Sequence, residues 1–193
     1  MSESSIHTRR ILSGRIFRLL FIHPALDQHQ QLECYCLPFE IDAAPPYEAL
    51  SYVWGPPEPS TKLLCNGHSI LVRSELANAL TKMRLRDSTR IVWTDAICIN
   101  QDDDEEKSLQ VPLMGSIYSL AKRVIVWLGY GDVQQVQEAL ECIKFIARAR
   151  RQYKQDHNLI ADDDDQLQEL FSRPWFSRIW CVQEIRLAQD ALV

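Results

Sequence analysis

The sequence predicts a three-layer α/β domain with a mostly parallel central sheet and an N-terminal β addition. Three observations carry the prediction. Residues 91–95 (Ile91-Val92-Trp93-Thr94-Asp95) and 123–129 (Arg123-Val124-Ile125-Val126-Trp127-Leu128-Gly129) are short runs rich in β-branched and aromatic residues. Such runs suit parallel strands buried on both faces. The segment between them has helical spacing, so the whole reads as a βαβ unit. A third run, Tyr47-Glu48-Ala49-Leu50-Ser51-Tyr52-Val53-Trp54-Gly55, ends at Gly55-Pro56-Pro57-Glu58-Pro59. Proline lacks the amide donor that a central strand needs, so the strand stops there. The expected core strands are residues 49–54, 91–95 and 124–128, with Trp93 and Trp127 in the core.

Taken in order, residues 15–22 and 32–37 read as a first hairpin across a polar loop containing Pro24. Residues 38–46 form a connector ending in Pro45-Pro46. Residues 62–65 and 68–72 flank Asn66-Gly67, a pair that accepts the positive φ of a type I′ hairpin turn. Ser74 is a candidate cap for a helix over 75–85, with Leu76, Leu80 and Met83 on one face. Asp103 and Glu106 resemble a capping box for the next helix. Its expected apolar stripe is Leu109, Leu113, Ile117 and Leu120. Pro112 should kink that helix or mark a restart near Val111. Residues 133–153 and 177–188 read as further helices, with a short helical turn at 166–171. Asp190-Ala191-Leu192-Val193 looks like the entry to another strand. Residues 1–46 are thus a β addition with its connector. Residues 47–193 are the main domain, which the pattern suggests is truncated at its C-terminus.

Composition narrows the function. The chain has 193 residues, 21 basic and 26 acidic side chains and a net charge of −5. No basic surplus points to nucleic acid or an anionic membrane. No apolar run reaches the roughly 18 residues of a membrane span, and residues 1–10 lack a signal-peptide core. A cytoplasmic protein is expected. The six cysteines are scattered in apolar runs, as for buried thiols in a reducing compartment. No His, Cys or carboxylate set has ligand spacing, so no metal is expected. Gly129-Tyr130-Gly131 lacks the third glycine of a dinucleotide fingerprint, and no Walker loop is present. Residues 102–106 do not fit a calcium loop, and there is no nucleophile elbow.

Candidate site residues cluster in three stretches. Asp95, Asn100 and Gln101 follow a strand at the sheet edge where open α/β folds bind ligands. Ser51, Tyr52 and Trp54 end the preceding strand. Trp180 and Glu184 are four apart and share a helix face. A carboxylate beside an indole sits in a partly apolar setting, which raises its pKa and suits it to proton transfer or to facing a developing cation. The alternative is that Trp180 is core and Glu184 pairs with Arg178 or Arg186.

These stretches, in this order, resemble the fungal heterokaryon incompatibility domain. The match is carried by residues 47–55, by Trp93-Thr94-Asp95-Ala96-Ile97-Cys98-Ile99-Asn100-Gln101, and by Glu106-Lys107, Gln110-Val111, Met114, Ile117-Tyr118, Ala121 and Val126-Trp127-Leu128-Gly129. Arg173-Pro174-Trp175-Phe176-Ser177-Arg178-Ile179-Trp180 with Gln183-Glu184 completes it. Thr94 stands where the family usually has an aliphatic residue, and Pro112 is unusual in its helix. The resemblance implies a role in non-self recognition and programmed cell death, with an unidentified incompatibility partner. It also implies similarity to Toll/interleukin-1 receptor (TIR) domains and their flavodoxin-like fold. In the catalytic TIR domains a Trp-Cys-x-x-Glu helix serves NAD cleavage, which carries over to Glu184 as the catalytic candidate. Ser51, Tyr52, Trp54, Asp95, Asn100 and Trp180 would then line the ligand cleft, with NAD as substrate and no resident cofactor. The other function implied is a non-catalytic module that acts by homo-oligomerisation and partner recruitment.

Overall fold

The structure, a computed structural model, describes residues 6, 7, 11, 14–129, 175, 184 and 187–192. Eight strands form one sheet: β1 (Ile16–Ile22), β2 (Glu33–Glu40), β3 (Glu48–Tyr52), β4 (Ser60–Cys65), β5 (His68–Arg73), β6 (Arg90–Trp93), β7 (Arg123–Trp127) and β8 (Ala191–Leu192). Three α-helices are described, α1 (Ser74–Met83), α2 (Asp95–Cys98) and α3 (Asp104–Leu120), with a short 3-10 turn at Ile41–Ala43. The expected helices at 133–153 and 177–188 and the turn at 166–171 fall mostly outside the described residues, although Glu184 and Leu187 are helical.

Strand order is β5-β4-β2-β1-β6-β3-β7-β8. The three expected core strands lie side by side and parallel, with β3 between β6 and β7. β8 starts where the sequence pattern sets it and pairs parallel with β7, Val124 opposite Ala191. The N-terminal addition does not form a separate layer. Its β1–β2 hairpin joins the same sheet through an antiparallel β1–β6 contact, and β2 then carries the β4–β5 hairpin. The α/β class holds, but the sheet is mixed, because parallel pairing is confined to β6-β3-β7-β8 and the β2–β4 contact.

Local chemistry explains the additions. Asn66 and Gly67 have φ of 52° and 77°, the paired left-handed geometry of the expected turn. The Asn66 side chain then ties the turn to β2, accepting from the Cys36 amide at 2.9 Å and donating to the Cys36 carbonyl at 3.2 Å. Two residues on, Pro38 faces the same side of β2, beyond the reach of β4, so its missing amide breaks no ladder bond. Cys34, Cys36, Cys65 and Cys98 are free and buried. A hydrogen bond with Cys98, and then burial, push the Cys36 thiol well above its ordinary value.

The helices depart from expectation in three ways. Ser74 does not cap α1: it is the first helical residue, its hydroxyl donates to the Pro59 carbonyl at 2.8 Å, and Arg73 is the cap without a side-chain bond. Leu76, Leu80 and Met83 are buried as expected. Asp103 caps α3, accepting from the Glu105 and Glu106 amides at 3.1 and 3.2 Å. Glu106 does not complete the capping box, because its side chain is committed elsewhere. Finally, α3 continues through Pro112 without a restart, and its buried face is Glu106, Gln110, Ile117 and Tyr118. Leu120 of the expected stripe is half exposed.

Glu106 explains that rotated face. Its carboxylate is fully buried, and it meets Arg18 of β1 through bonds of 2.5 and 2.9 Å. It also accepts the Asn100 amide at 2.8 Å and the Ile11 amide at 3.2 Å. Arg18 donates further to the Cys98 carbonyl at 3.1 Å. Burial alone raises a carboxyl pKa, but Arg18 and the two amides outweigh it and hold Glu106 below its ordinary value. One buried ion pair thus joins β1, the loop after α2 and the start of α3. Gln110 adds a bond to the Ile16 carbonyl at 2.8 Å. In the core, Trp93 is fully buried and packs edge-on to Tyr118 at 5.3 Å. Trp127 is only half-buried, because its indole lies at the end of β7 and donates to Glu75 at 3.0 Å.

Candidate functional site

The chain leaving β3 returns into β6 on one side of it, and the chain leaving β6 crosses to β7 on the other. Neighbouring strands whose connections diverge leave a crevice at their carboxyl ends. An open cleft of about 610 Å³ lies there, lined by Val53, Trp54 and Gly55 after β3, Asp95, Ile99 and Gln101 after β6, and Lys107, Val111 and Met114 from α3.

Its polar groups are fixed in place. The Trp54 indole donates to Asp95 Oδ2 at 2.9 Å, and the Ala96 amide donates to Oδ1 at 2.8 Å. Gln101 donates to the Asp95 carbonyl at 2.8 Å. The Arg73 guanidinium lies 5.1 Å from the centre of the Trp54 ring, within cation–π range. Gly55 has φ of +67°, a conformation that favours glycine, and a side chain there would press on Glu75 Cγ at 3.1 Å. Such a site offers an aromatic and apolar wall, one carboxylate and one lysine.

A second, buried group lies deeper along β3. Ser51 is 1% exposed, and its hydroxyl donates to Glu184, which is 2% exposed. The Trp175 indole, itself buried, donates to the Ser51 oxygen at 2.9 Å. This contact joins the first and third stretches, 133 residues apart in the chain.

The expected site residues therefore divide. Trp54 and Asp95 line the cleft. Ser51 and Glu184 meet below it, and neither is among the described lining residues. Tyr52 is buried and pairs across β3–β7 with Trp127. Asn100 shapes the loop, its amide held by Glu106 and its side chain accepting from the Asp102 amide at 3.3 Å. Trp180 lies outside the described residues. Sequence reasoning missed Trp175, Glu75 and Lys107 as site residues, and Arg18 and Glu106 as their support. Trp175, Glu106 and Lys107 stood in quoted motifs, but nothing local assigned them a contact. Among the described residues no three His, Cys, Asp or Glu side chains converge to hold a metal ion. No helix among them is long and apolar enough to cross a membrane.

Comparison with known proteins agrees with these motifs. The family model described as Heterokaryon incompatibility protein (HET) matches residues 47–184. Heterokaryon incompatibility protein 6, OR allele, of Neurospora crassa is 33% identical over 226 aligned residues, covering 91% of this chain and 32% of that protein. The chain therefore spans about a third of the length of this curated relative. No solved structure matches the chain.

Proposed function

This chain belongs to the heterokaryon incompatibility family, and from that premise we propose that it acts in fungal non-self recognition as a domain that triggers cell death by hydrolysing NAD. The bond cleaved is the one between nicotinamide and ribose. Water adds to C1′, nicotinamide leaves with the bonding electrons, and ADP-ribose and a proton remain. Positive charge develops on the ribose as the bond opens, as in glycoside hydrolysis. A carboxylate near C1′ stabilises that charge. Glu184 has this role. Trp54 and the apolar wall of the cleft take the base, and Asp95 takes a ribose hydroxyl. The parallel block β6-β3-β7-β8 supports a three-layer, flavodoxin-like and TIR-like reading of the main domain. The action is cytoplasmic, in homo-oligomers, on a signal from an incompatibility partner.

The observation that carries this reading is the Ser51–Glu184 contact, which brings the carried-over carboxylate to the strand whose end forms the cleft. One observation favours a second reading, a non-catalytic module that oligomerises and recruits partners: Glu184 is 2% exposed and stands off the cleft lining. The readings separate in cells. Overexpressed Glu184→Gln chain should lose killing if NAD cleavage is the effector step. Undiminished killing at equal protein level overturns the enzymatic reading in favour of assembly.

A further inference from the structure

We propose that Ser51 is a positioning residue for the Glu184 carboxylate, itself oriented by Trp175, and that it contacts no ligand. The inference rests on the reading of Glu184 as the NAD-cleaving carboxylate. The direction of the hydrogen bonds follows from the groups. An indole nitrogen can only donate, and a serine hydroxyl has one proton. Because Trp175 donates to the Ser51 oxygen at 2.9 Å, the Ser51 proton remains for Glu184, which accepts it. The three side chains form a one-way chain in which each bond polarises the next.

The setting makes the chain rigid. Ser51 is the fourth of five β3 residues, and β3 has a parallel neighbour on each side. It sits opposite Val126 of β7. A hydroxyl on a central strand is located far more tightly than one on a loop. All three residues are almost fully buried, at 1%, 2% and 3% exposure for Ser51, Glu184 and Trp175. A buried carboxylate needs fixed donors, and Ser51 supplies one. With its proton committed to Glu184 and one lone pair to Trp175, Ser51 has no donor left for a ligand in the cleft.

The test uses the full chain with NAD at high protein concentration and compares the parent, Ser51→Ala, Trp175→Phe and the double variant. Expected for Ser51→Ala is a kcat lowered about 10–100-fold, the range seen for hydrogen-bond partners that orient metal ligands, with KM within about twofold. Trp175→Phe should lower kcat less, and the double variant should equal Ser51→Ala, because Trp175 acts through Ser51. A KM that rises with kcat retained makes Ser51 a ligand contact and overturns the proposal, as do additive losses in the double variant. A parent without NAD turnover refutes the NAD reading itself. The positioning claim is then decided by the indole N–H resonance of Trp175 in nitrogen-labelled protein. That signal should shift in both Ser51→Ala and Glu184→Gln, and an unmoved signal in Glu184→Gln overturns the claim. If Ser51→Ala does not fold, the same Glu184→Gln spectrum decides.

Discussion

Replacing Glu106 by glutamine should be among the most damaging single-atom changes in this protein. Each carboxylate oxygen accepts two donors: Oε1 from Arg18 and the Asn100 amide, Oε2 from Arg18 and the Ile11 amide. An amide nitrogen in place of either oxygen sets donor against donors. It also removes the charge opposing Arg18, whose side chain is 3% exposed and cannot turn to water. Breaking a buried pair from one side typically costs about 3–5 kcal/mol. For a chain of 193 residues, roughly 2–4 °C per kcal/mol converts this to a melting point about 6–20 °C lower. Urea unfolding should give the same loss from the midpoint at unchanged slope. The double variant Arg18→Met/Glu106→Leu removes both charges and should recover much of the loss. A Glu106→Gln chain within about 1 kcal/mol of the parent would refute the reasoning, because such a value belongs to an exposed pair.

The same pair makes stability depend on pH. The folded Glu106 carboxyl titrates below its ordinary value of 4.5, so its contribution is complete above that pH and is lost as pH falls through the folded value. Unfolding free energy should fall more steeply below about pH 4.5 in the parent than in Glu106→Gln, and parallel curves would contradict this. The Thr94 hydroxyl is fully buried and has no hydrogen-bond partner among the described residues. Thr94→Val should therefore be neutral or stabilise by about 1 kcal/mol, measured in urea; a loss above that would mean the hydroxyl is engaged. Asn66→Ala removes two bonds to β2 and a left-handed position that Asn tolerates, so it should cost about 1–3 kcal/mol. A variant that unfolds with the parent would show that the turn does not anchor the β4–β5 hairpin.

What could be read in the sequence was local. The parallel strands announced themselves as β-branched runs bounded by glycine and proline, and Asn66-Gly67 as a turn, because each signal lies within a few residues. The face of α3 could not be read this way. Glu106 and Gln110 are polar, and what buries them is Arg18 and the Ile16 carbonyl, 88 and 94 residues away. An apolar stripe therefore pointed to Leu120, which is half exposed. Trp127 looked like core by type, yet its indole reaches a carboxylate at the sheet edge. In the candidate site, the resemblance singled out Ser51 and Glu184 separately. Their contact, and the hydrogen bond from Trp175 to Ser51, depend on tertiary pairing that no spacing encodes. The union of the N-terminal hairpins with the main sheet was hidden for the same reason, since strand order between distant segments leaves no periodic trace.

NAD cleavage by Glu184 is tested by nicotinamide release from NAD by the purified chain at high protein concentration, parent against Glu184→Gln. The change swaps one oxygen for a nitrogen at a buried site, so both proteins are assayed well below their melting points, at equal folded fraction by circular dichroism. The parent should release nicotinamide steadily, with ADP-ribose in equal amount, and Glu184→Gln should lose at least about 100-fold. Equal release by the two proteins, or none by an assembled parent, would contradict that role for Glu184.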